Sequence, residues 1–486
     1  MFLQGSTTPA RASVPWFGIR FVDPSTGEGI PLVEVESLDR VVRVSDNLGW
    51  VAIEPGAQEL WLHVRAHGYR IPADGFGFRG MRVLPTAGVV RTAFLERTQV
   101  AQRIARLTGA HRTRDSERLG RSVAASTDPF DGIVGMDSAQ TATLKGRRWW
   151  FWGDTTVSEY PLGNFRTTGA EARMPIGAPT ASNLPEHRVL RDGNRRPAAM
   201  VPGSQPGMVW ISGAVEVGSG ESAQLLAYYS RMKDLGTRLE HGHVVWDPGA
   251  ERFRFAARLG DLADWRHLEG HPIRIQDARP WIAGGFTFPN VRVPNAPSAV
   301  LGTGPWEAFT CLDSRGSVVR KDGRPHYHWV RDVAPLEPRA ERDLVRRGVL
   351  DLRDAHFLPR SPMGETVLPH GGSVVWNAWR KRWISVFTRM TAKPSPLGEI
   401  WYAEAKQPTG PWRRAVLVAN FDGYTFYNPV LHPFFDIQGG RIVHFEGTYT
   451  EQFSDHPRPT PGYDYNQILH RLDLADPRLA HARKER

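Results

Sequence analysis

Asp137 and Asp154 bracket the stretch Asp137-Ser-Ala-Gln-Thr-Ala-Thr-Leu-Lys-Gly-Arg-Arg-Trp-Trp-Phe-Trp-Gly-Asp154, whose residue types read as one β-hairpin. Lys145-Gly146 is a two-residue turn signal, because Gly takes the positive φ that tight hairpin turns demand. In that register Leu144 faces Arg147, and counting outward sets Asp137 directly opposite Asp154. Opposed residues of an antiparallel pair share a face, with Cβ atoms about 5 Å apart. Two charged carboxylates that close repel, a cost that a hairpin built only for stability would avoid. Glycosidic bond cleavage commonly employs such a pair, one group as acid and the other as base or nucleophile. A three-residue turn would slip the register and set the two diagonally. Either aspartate could instead cap a turn or accept backbone N–H groups at a strand end.

Other side chains fit the same chemistry. Glu446, in Val443-His-Phe-Glu-Gly-Thr-Tyr449, is the candidate third acid, with a hydrogen-bonded structural role as its alternative; Glu399 carries the same two readings. Sugars are held by amides and aromatic faces. That marks Trp152, Tyr427 and Asn428 as substrate contacts, Trp152 alternatively packing inside its sheet. His370-Gly-Gly-Ser373 has the form of an oxyanion loop, and His370 joins the substrate-binding candidates, but no Gly-x-Ser-x-Gly elbow supplies a nucleophile. His326-Tyr-His328 and His241-Gly-His243 each set two imidazoles on one strand face without a third ligand nearby. Gly302-Thr-Gly304 runs into Pro-Trp rather than a helix, so no nucleotide fingerprint is present. No cofactor and no metal is expected.

The elements that hold these residues are expected to be strands. The 486 residues include 17 Trp, 22 Phe, 48 Gly and 38 Pro, a composition that favours many short strands joined by turns. From Asp131 onward, apolar runs such as Met208-Val-Trp-Ile211, Leu225-Leu-Ala-Tyr-Tyr229 and Trp383-Ile-Ser-Val-Phe387 recur without alternation. Strands covered on both faces have this pattern, and stacked propeller blades cover them so. Pro338 to Arg347, with Gly348 just beyond, is the one predicted helix of that region. Ahead of it, Trp16 to Leu95 alternates around turns at Asp23-Pro-Ser-Thr-Gly and Ser45-Asp-Asn-Leu-Gly, as a small β-sandwich does. Between them Val100, Ile104 and Leu107 recur at helical spacing, which predicts an amphipathic linker helix. The expected division is a sandwich over 14–96, a helical linker over 97–120, a propeller over 121–475 and a solvated basic tail over 476–486.

Net charge is +10, but only seven of the 61 basic residues are Lys, and Arg spreads evenly among Asp and Glu. Nucleic-acid binding needs basic residues gathered on one face and is not expected. No apolar run approaches the roughly 20 residues of a spanning helix. Cys311 stands alone, so no intrachain disulfide can form. Met1 to Arg11 lacks the basic and apolar regions of a secretory signal. The default expectation is the cytoplasm, with the cell envelope or secretion as alternatives. Oligomeric state is left open.

Two resemblances follow from particular motifs. "V-D-x-x-T-G-x-x-I-P", "S-D-x-x-G-W" and "G-Y" in the first 80 residues look like the carboxypeptidase-regulatory, transthyretin-like domains. Gly398-Glu-Ile-Trp-Tyr-Ala-Glu-Ala-Lys-Gln-Pro-Thr-Gly-Pro-Trp412 resembles the blade-closing motif of five-bladed glycosidase propellers. Asp137 with Gly153-Asp154-Thr155 resembles the first blade of a propeller family, once catalogued only as a domain of unknown function, that includes endo-D-arabinanases. The likeness implies an all-β chain, a carbohydrate substrate and catalytic roles for Asp137 and Asp154. No family motif covers Glu446, and the loops between blades are long for the family. The expected function is glycoside hydrolysis; the alternative is a non-catalytic carbohydrate-binding or envelope scaffold protein.

Overall fold

The computed structural model describes residues 16–121, 128–164, 166–203, 205–302, 304–391 and 396–484. The N-terminal stretch read for secretory features and the last two residues of the basic tail lie outside them. The described chain is built mainly of strands. It divides into two compact units, 1–98 with 112–126, and 99–111 with 127–486.

In the first unit Phe17–Val22 is the central strand of one sheet, antiparallel to Trp50–Ile53 and parallel to Val90–Phe94. Val42–Val44, Glu34–Ser37, Leu60–Arg65 and Gly80–Val83 form a second, antiparallel sheet. Alternation decides which side chains turn inward: Leu62 and Val64 are buried while Trp61, His63 and Arg65 face solvent. Phe17, Ile19, Phe21, Val35, Val51 and Ile53 join them in one core. Asp46 closes the second turn, its Oδ1 accepting from the backbone N–H groups of Leu48 and Trp50. Gly49, at φ 80°, is required there, since a Cβ would lie 2.6 Å from the Phe21 carbonyl oxygen.

Among the described residues, most strands of the second unit lie in antiparallel sheets of four or five strands, beside a three-stranded sheet of Ile133–Met136, Thr155–Val157 and Tyr160–Asn164 and a two-stranded one of Arg320–Lys321 and Arg324–Pro325. The first sheet runs Gln140–Leu144, Arg147–Trp152, Thr168–Arg173, Glu186–Val189, and the second Met208–Val217, Gln224–Met232, Arg238–Asp247, Arg252–Arg258. The third has five strands, Ile273–Gln276, Pro280–Gly284, Val291–Pro294, Glu307–Thr310 and His328–Val330. Pro369–Asn377, Arg382–Arg389, Glu399–Ala405 and Ala415–Asn420 make the fourth. Thr425–Leu431, Ile442–Thr450 and Asn466–Asp473 make the fifth, together with Gln102–Arg106. Neighbouring sheets bury each other. Trp150 and Trp152 pack with Val430 and Leu469 of the fifth sheet, whereas Trp149 and Phe151, on the opposite face, pack with Leu225, Tyr229 and Trp246 of the second. A strand covered on both faces has no polar side, which is why these runs do not alternate.

Three expectations are corrected here. The stretch 97–120 is no linker helix: Gln102–Arg106 is a strand, antiparallel to Asn466–Asp473 with Gln102 opposite Arg471, and all five of its residues are buried. The register shifts between Arg103 and Ala105, and that bulge breaks the two-residue period and leaves an apolar spacing of four that imitates a helix. The short helix in this region, Arg114–Arg118, belongs to the first unit, so the chain enters the second unit at 99, returns at 112 and leaves again at 127. The tail is not solvated over its described part. Pro477–Arg483 forms a 3₁₀ helix that buries Leu479 and Ala482, with Asp476 accepting from the Arg478 backbone N–H. The helix Pro338–Arg346 is present as expected, ended by Gly348 at φ 70°.

Candidate active site

The hairpin register is the one that the turn chemistry implies. Lys145 and Gly146 both have positive φ, Leu144 faces Arg147 and Gln140 faces Phe151. Past the last regular pair, the Asp137 N–H donates to the Asp154 carbonyl at 3.1 Å and the Gly153 N–H donates to the Asp137 carbonyl at 2.8 Å. The two aspartates therefore meet at the hairpin's open end, in a register that continues to Met136 opposite Thr155, and the Asp154 N–H points to the Asp137 side chain. That N–H donates to Asp137 Oδ1 at 2.7 Å. Gly153 is what allows it, because a Cβ there would stand 2.2 Å from Asp137 Oδ1.

The two carboxyls have different surroundings. Asp137 Oδ2 accepts from the Tyr427 hydroxyl at 2.8 Å and from Ser138 Oγ at 3.3 Å, and Tyr465 adds a further hydroxyl. Asp154 Oδ1 accepts from the indole N–H of Trp210 at 2.6 Å. Burial raises both pKa values, because it removes water from the charged form. Desolvation first, and then the neighbouring Asp137 charge, push Asp154 up to about 7, against the Trp210 N–H. Around Asp137 the donors work the other way and favour the ionised form. Burial and the adjacent carboxylate drive the Tyr427 and Tyr465 hydroxyls well above their ordinary values, so both remain donors. Such a pair holds one proton between two carboxyls and can act as an acid and a base together.

The remaining predicted residues separate into two groups. Tyr427 and Asn428 come to the pair: Asn428, at φ 48°, donates from Nδ2 to Ser138 Oγ at 2.9 Å. His370 lies one contact further on. The glycine after it, Gly371, could not carry a Cβ, which would meet Asn428 Oδ1 at 2.3 Å. The His370 ring stands edge-on to Phe286 at 5.0 Å, and burial lowers its pKa to about 4. Trp152 and Glu446 do not come to the pair. Trp152 is 1% exposed and packs edge-on against Phe130, so no face of the indole is open to a ligand. Glu446 is wholly buried; its Oε1 accepts from Trp150 Nε1 at 2.9 Å and lies 3.0 Å from His432 Nε2. The hydrogen-bonded structural role is the one its surroundings fit. Glu399 accepts from Trp401 Nε1 and pairs with Arg389.

Three side chains at this end of the unit escaped the sequence reading. Trp210 holds Asp154 from the second sheet. Glu269 is pushed up to about 7 by desolvation first and then by the nearby Glu337. Glu337 is raised by burial, and its Oε1 accepts from Asn290 Nδ2 at 2.7 Å. Asp154 meets Trp210, Phe286 meets His370, Asn428 meets Ser138 and Tyr427 meets Asp137, while Glu269 feels the charge of Glu337. No short motif marks Glu269; its place depends on glycines that meet only in the fold. Gly270, at φ 66°, would set a Cβ 2.2 Å from the Gly285 carbonyl oxygen. No group of three or more His, Cys, Asp or Glu suited to hold a metal ion occurs among the described residues. No described helix is long and apolar enough to cross a membrane.

No family model matches this sequence, and no curated protein matches it. Among solved structures, a Bacteroides ovatus protein superposes with a TM-score of 0.42 at 13% identity, covering 71% of this chain and 87% of its own. The GH43_1 enzyme of Xanthomonas citri gives 0.33 at 11% identity, covering 69% of this chain and 86% of its own. An exo-1,5-α-L-arabinanase from a bovine ruminal metagenomic library gives 0.32 at 10%, covering 70% of this chain and 93% of its own. With every one of these TM-scores below 0.5, neither a family nor an activity passes from these proteins to this chain.

Proposed function

We propose that the second unit is a five-bladed β-propeller that hydrolyses a glycosidic bond in a polysaccharide or oligosaccharide, and that the first unit is a transthyretin-like β-sandwich accessory to it. One observation carries the proposal: two aspartates opposed across a hairpin end, both raised by burial, one surrounded by hydroxyl donors and the other held by a single indole N–H. Asp154 acts as general acid and Asp137 as base or nucleophile. Asp154 gives its proton to the glycosidic oxygen as the C–O bond breaks. Asp137 either takes a proton from the attacking water, which inverts the anomeric carbon, or bonds to that carbon and is later displaced by water, which retains it. Tyr427 and Asn428 support the base side, and His370 with Phe286 offers a polar and an aromatic contact to the sugar.

The test is hydrolysis of a polysaccharide panel by wild type, Asp137→Asn and Asp154→Asn, with folding checked by thermal melt. Activity is expected to fall by about 10³-fold or more in both variants, within the range that positioned acids and bases contribute. On an aryl glycoside with a good leaving group, Asp154→Asn should recover most of its rate, since the leaving oxygen then needs no proton. Asp137→Asn should not. Nuclear magnetic resonance of the first-formed anomer assigns inversion or retention.

The dense hydrogen bonding of Asp137 favours a second reading, in which the unit binds carbohydrate without cleaving it. A wild type that binds glycans and hydrolyses none of them, with binding unchanged in both variants, would replace the first reading with the second.

A further inference from the structure

Away from the aspartate pair, a cavity of about 720 Å³ lies in the second unit, lined by the outer strands of the second sheet and loops of the third. That volume is in the ordinary range for small-molecule sites. His243, on the strand Arg238–Asp247, lines it. This side chain is 2% exposed, and neither ring nitrogen has a hydrogen-bond partner among the described residues. A buried imidazole left so is costly, and such groups in folded proteins are nearly always satisfied by something. Its ring lies 5.9 Å from Trp306 with the planes 21° apart. Burial lowers its pKa to about 4, so at neutral pH it offers one donor and one acceptor.

The lining sets Arg258, Arg266 and Arg331 against Asp264 and Asp332. Arg266 stands 3.4 Å from Asp264 and 3.3 Å from Asp332. Arg258 lies 3.4 Å from Glu240, which also pairs with Arg231, and Arg331 lies 3.7 Å from Glu307, which also pairs with Arg292. An anion would meet the Asp264 and Asp332 carboxylates beside Arg266. A wholly apolar ligand would leave His243 and the Asp264–Arg266–Asp332 group without new partners. Neutral donors and acceptors beside the apolar surface of Val300 and Trp306 match a ring with hydroxyls at its edge and C–H groups on its faces.

We propose that this cavity is a second binding site, for one unit of a neutral sugar, separate from the aspartate pair. The site does not require that the chain hydrolyse anything. Substrate held there would be anchored while another part of the same polymer reaches the aspartates.

The experiment is ligand-observed magnetic resonance on the full chain carrying Asp137→Asn and Asp154→Asn, so that no probe is consumed. The probes are glucose, galactose, xylose and arabinose, with glucuronate and glucose 6-phosphate as charged counterparts. At least one neutral sugar should bind, and its affinity should drop tenfold or more on adding Asp332→Ala or His243→Phe. Asp332 is exposed, so its variant stays interpretable even if His243→Phe does not fold. In the otherwise native chain, Asp332→Ala should leave hydrolysis of a short aryl glycoside unchanged. The proposal is overturned if no neutral sugar binds, if Asp332→Ala leaves all binding intact, or if the charged probes bind better. Loss of hydrolysis alone would overturn the catalytic reading and leave this one standing.

Discussion

Trp210 controls the pH response of the aspartate pair. Its indole N–H favours the charged form of Asp154, so Trp210→Phe removes that help and raises a pKa already near 7. With Asp154 as the acid, the alkaline limb of the pH–rate profile should move to higher pH in Trp210→Phe. Tyr427→Phe takes a donor from Asp137 and should move the acidic limb upward in the same measurement. Gly153→Ala is the steric test: its Cβ must displace the Asp137 carboxylate, and we expect at least a tenfold loss of kcat with destabilisation of about 1–3 kcal/mol, as for overpacking. The opposition of Asp137 and Asp154 was legible in the sequence because a Lys-Gly turn sets hairpin register locally. Of the two readings Trp152 carried, packing is the one its surroundings fit, and aromatic type alone could not decide between them because it says nothing about which face a neighbouring sheet will cover. Glu269 was not legible, since the glycines that place it are distant in sequence from the pair.

Among the elements, the strand Gln102–Arg106 is where local pattern and tertiary structure disagree. Leu107, just past it, is 1% exposed and packs in the core shared by the first and fifth sheets. Leu107→Ala is expected to cost about 2–5 kcal/mol in chemical denaturation, the usual range for a buried Leu. On an exposed linker helix the same change would fall within about 0.5 kcal/mol. The strand-rich character and the unalternating runs of the second unit were legible, as was the helix Pro338–Arg346, because periodicity and Pro/Gly punctuation are local signals. A single strand joining a partner far along the chain leaves no such signal, and a bulge erased its period.

For the molecule as a whole, buried titratable groups set how stability follows pH. Burial lowers His243, His267, His271, His356, His370, His444 and His470 to about 3 or 4. Each binds a proton more readily unfolded, near 6.5, than folded. Their contribution is complete above about 6.5 and is lost as pH falls toward 4. Asp154, Glu269 and Asp436, each raised to about 7, act oppositely and reduce stability as pH rises from about 4 to 7. Burial also raises Asp46, Asp115, Asp137, Glu337, Glu341 and Asp464. The two sets oppose each other, so Tm should change little between pH 6.5 and 4 in scanning calorimetry. Asp154→Asn should make Tm fall toward pH 4 over that window, by removing one carboxyl that resists the fall.

The fifth sheet also has a temporal side. Gln102 accepts a hydrogen bond from Arg471, 369 positions later in the chain. At synthesis rates of about 5–20 residues per second, the earlier strand leaves the ribosome about 20–70 s before its partner exists. During that interval it is an open edge able to pair with any other nascent chain. Translation speed and chaperone supply, more than the stability of the finished protein, should therefore govern how much folded protein a cell recovers.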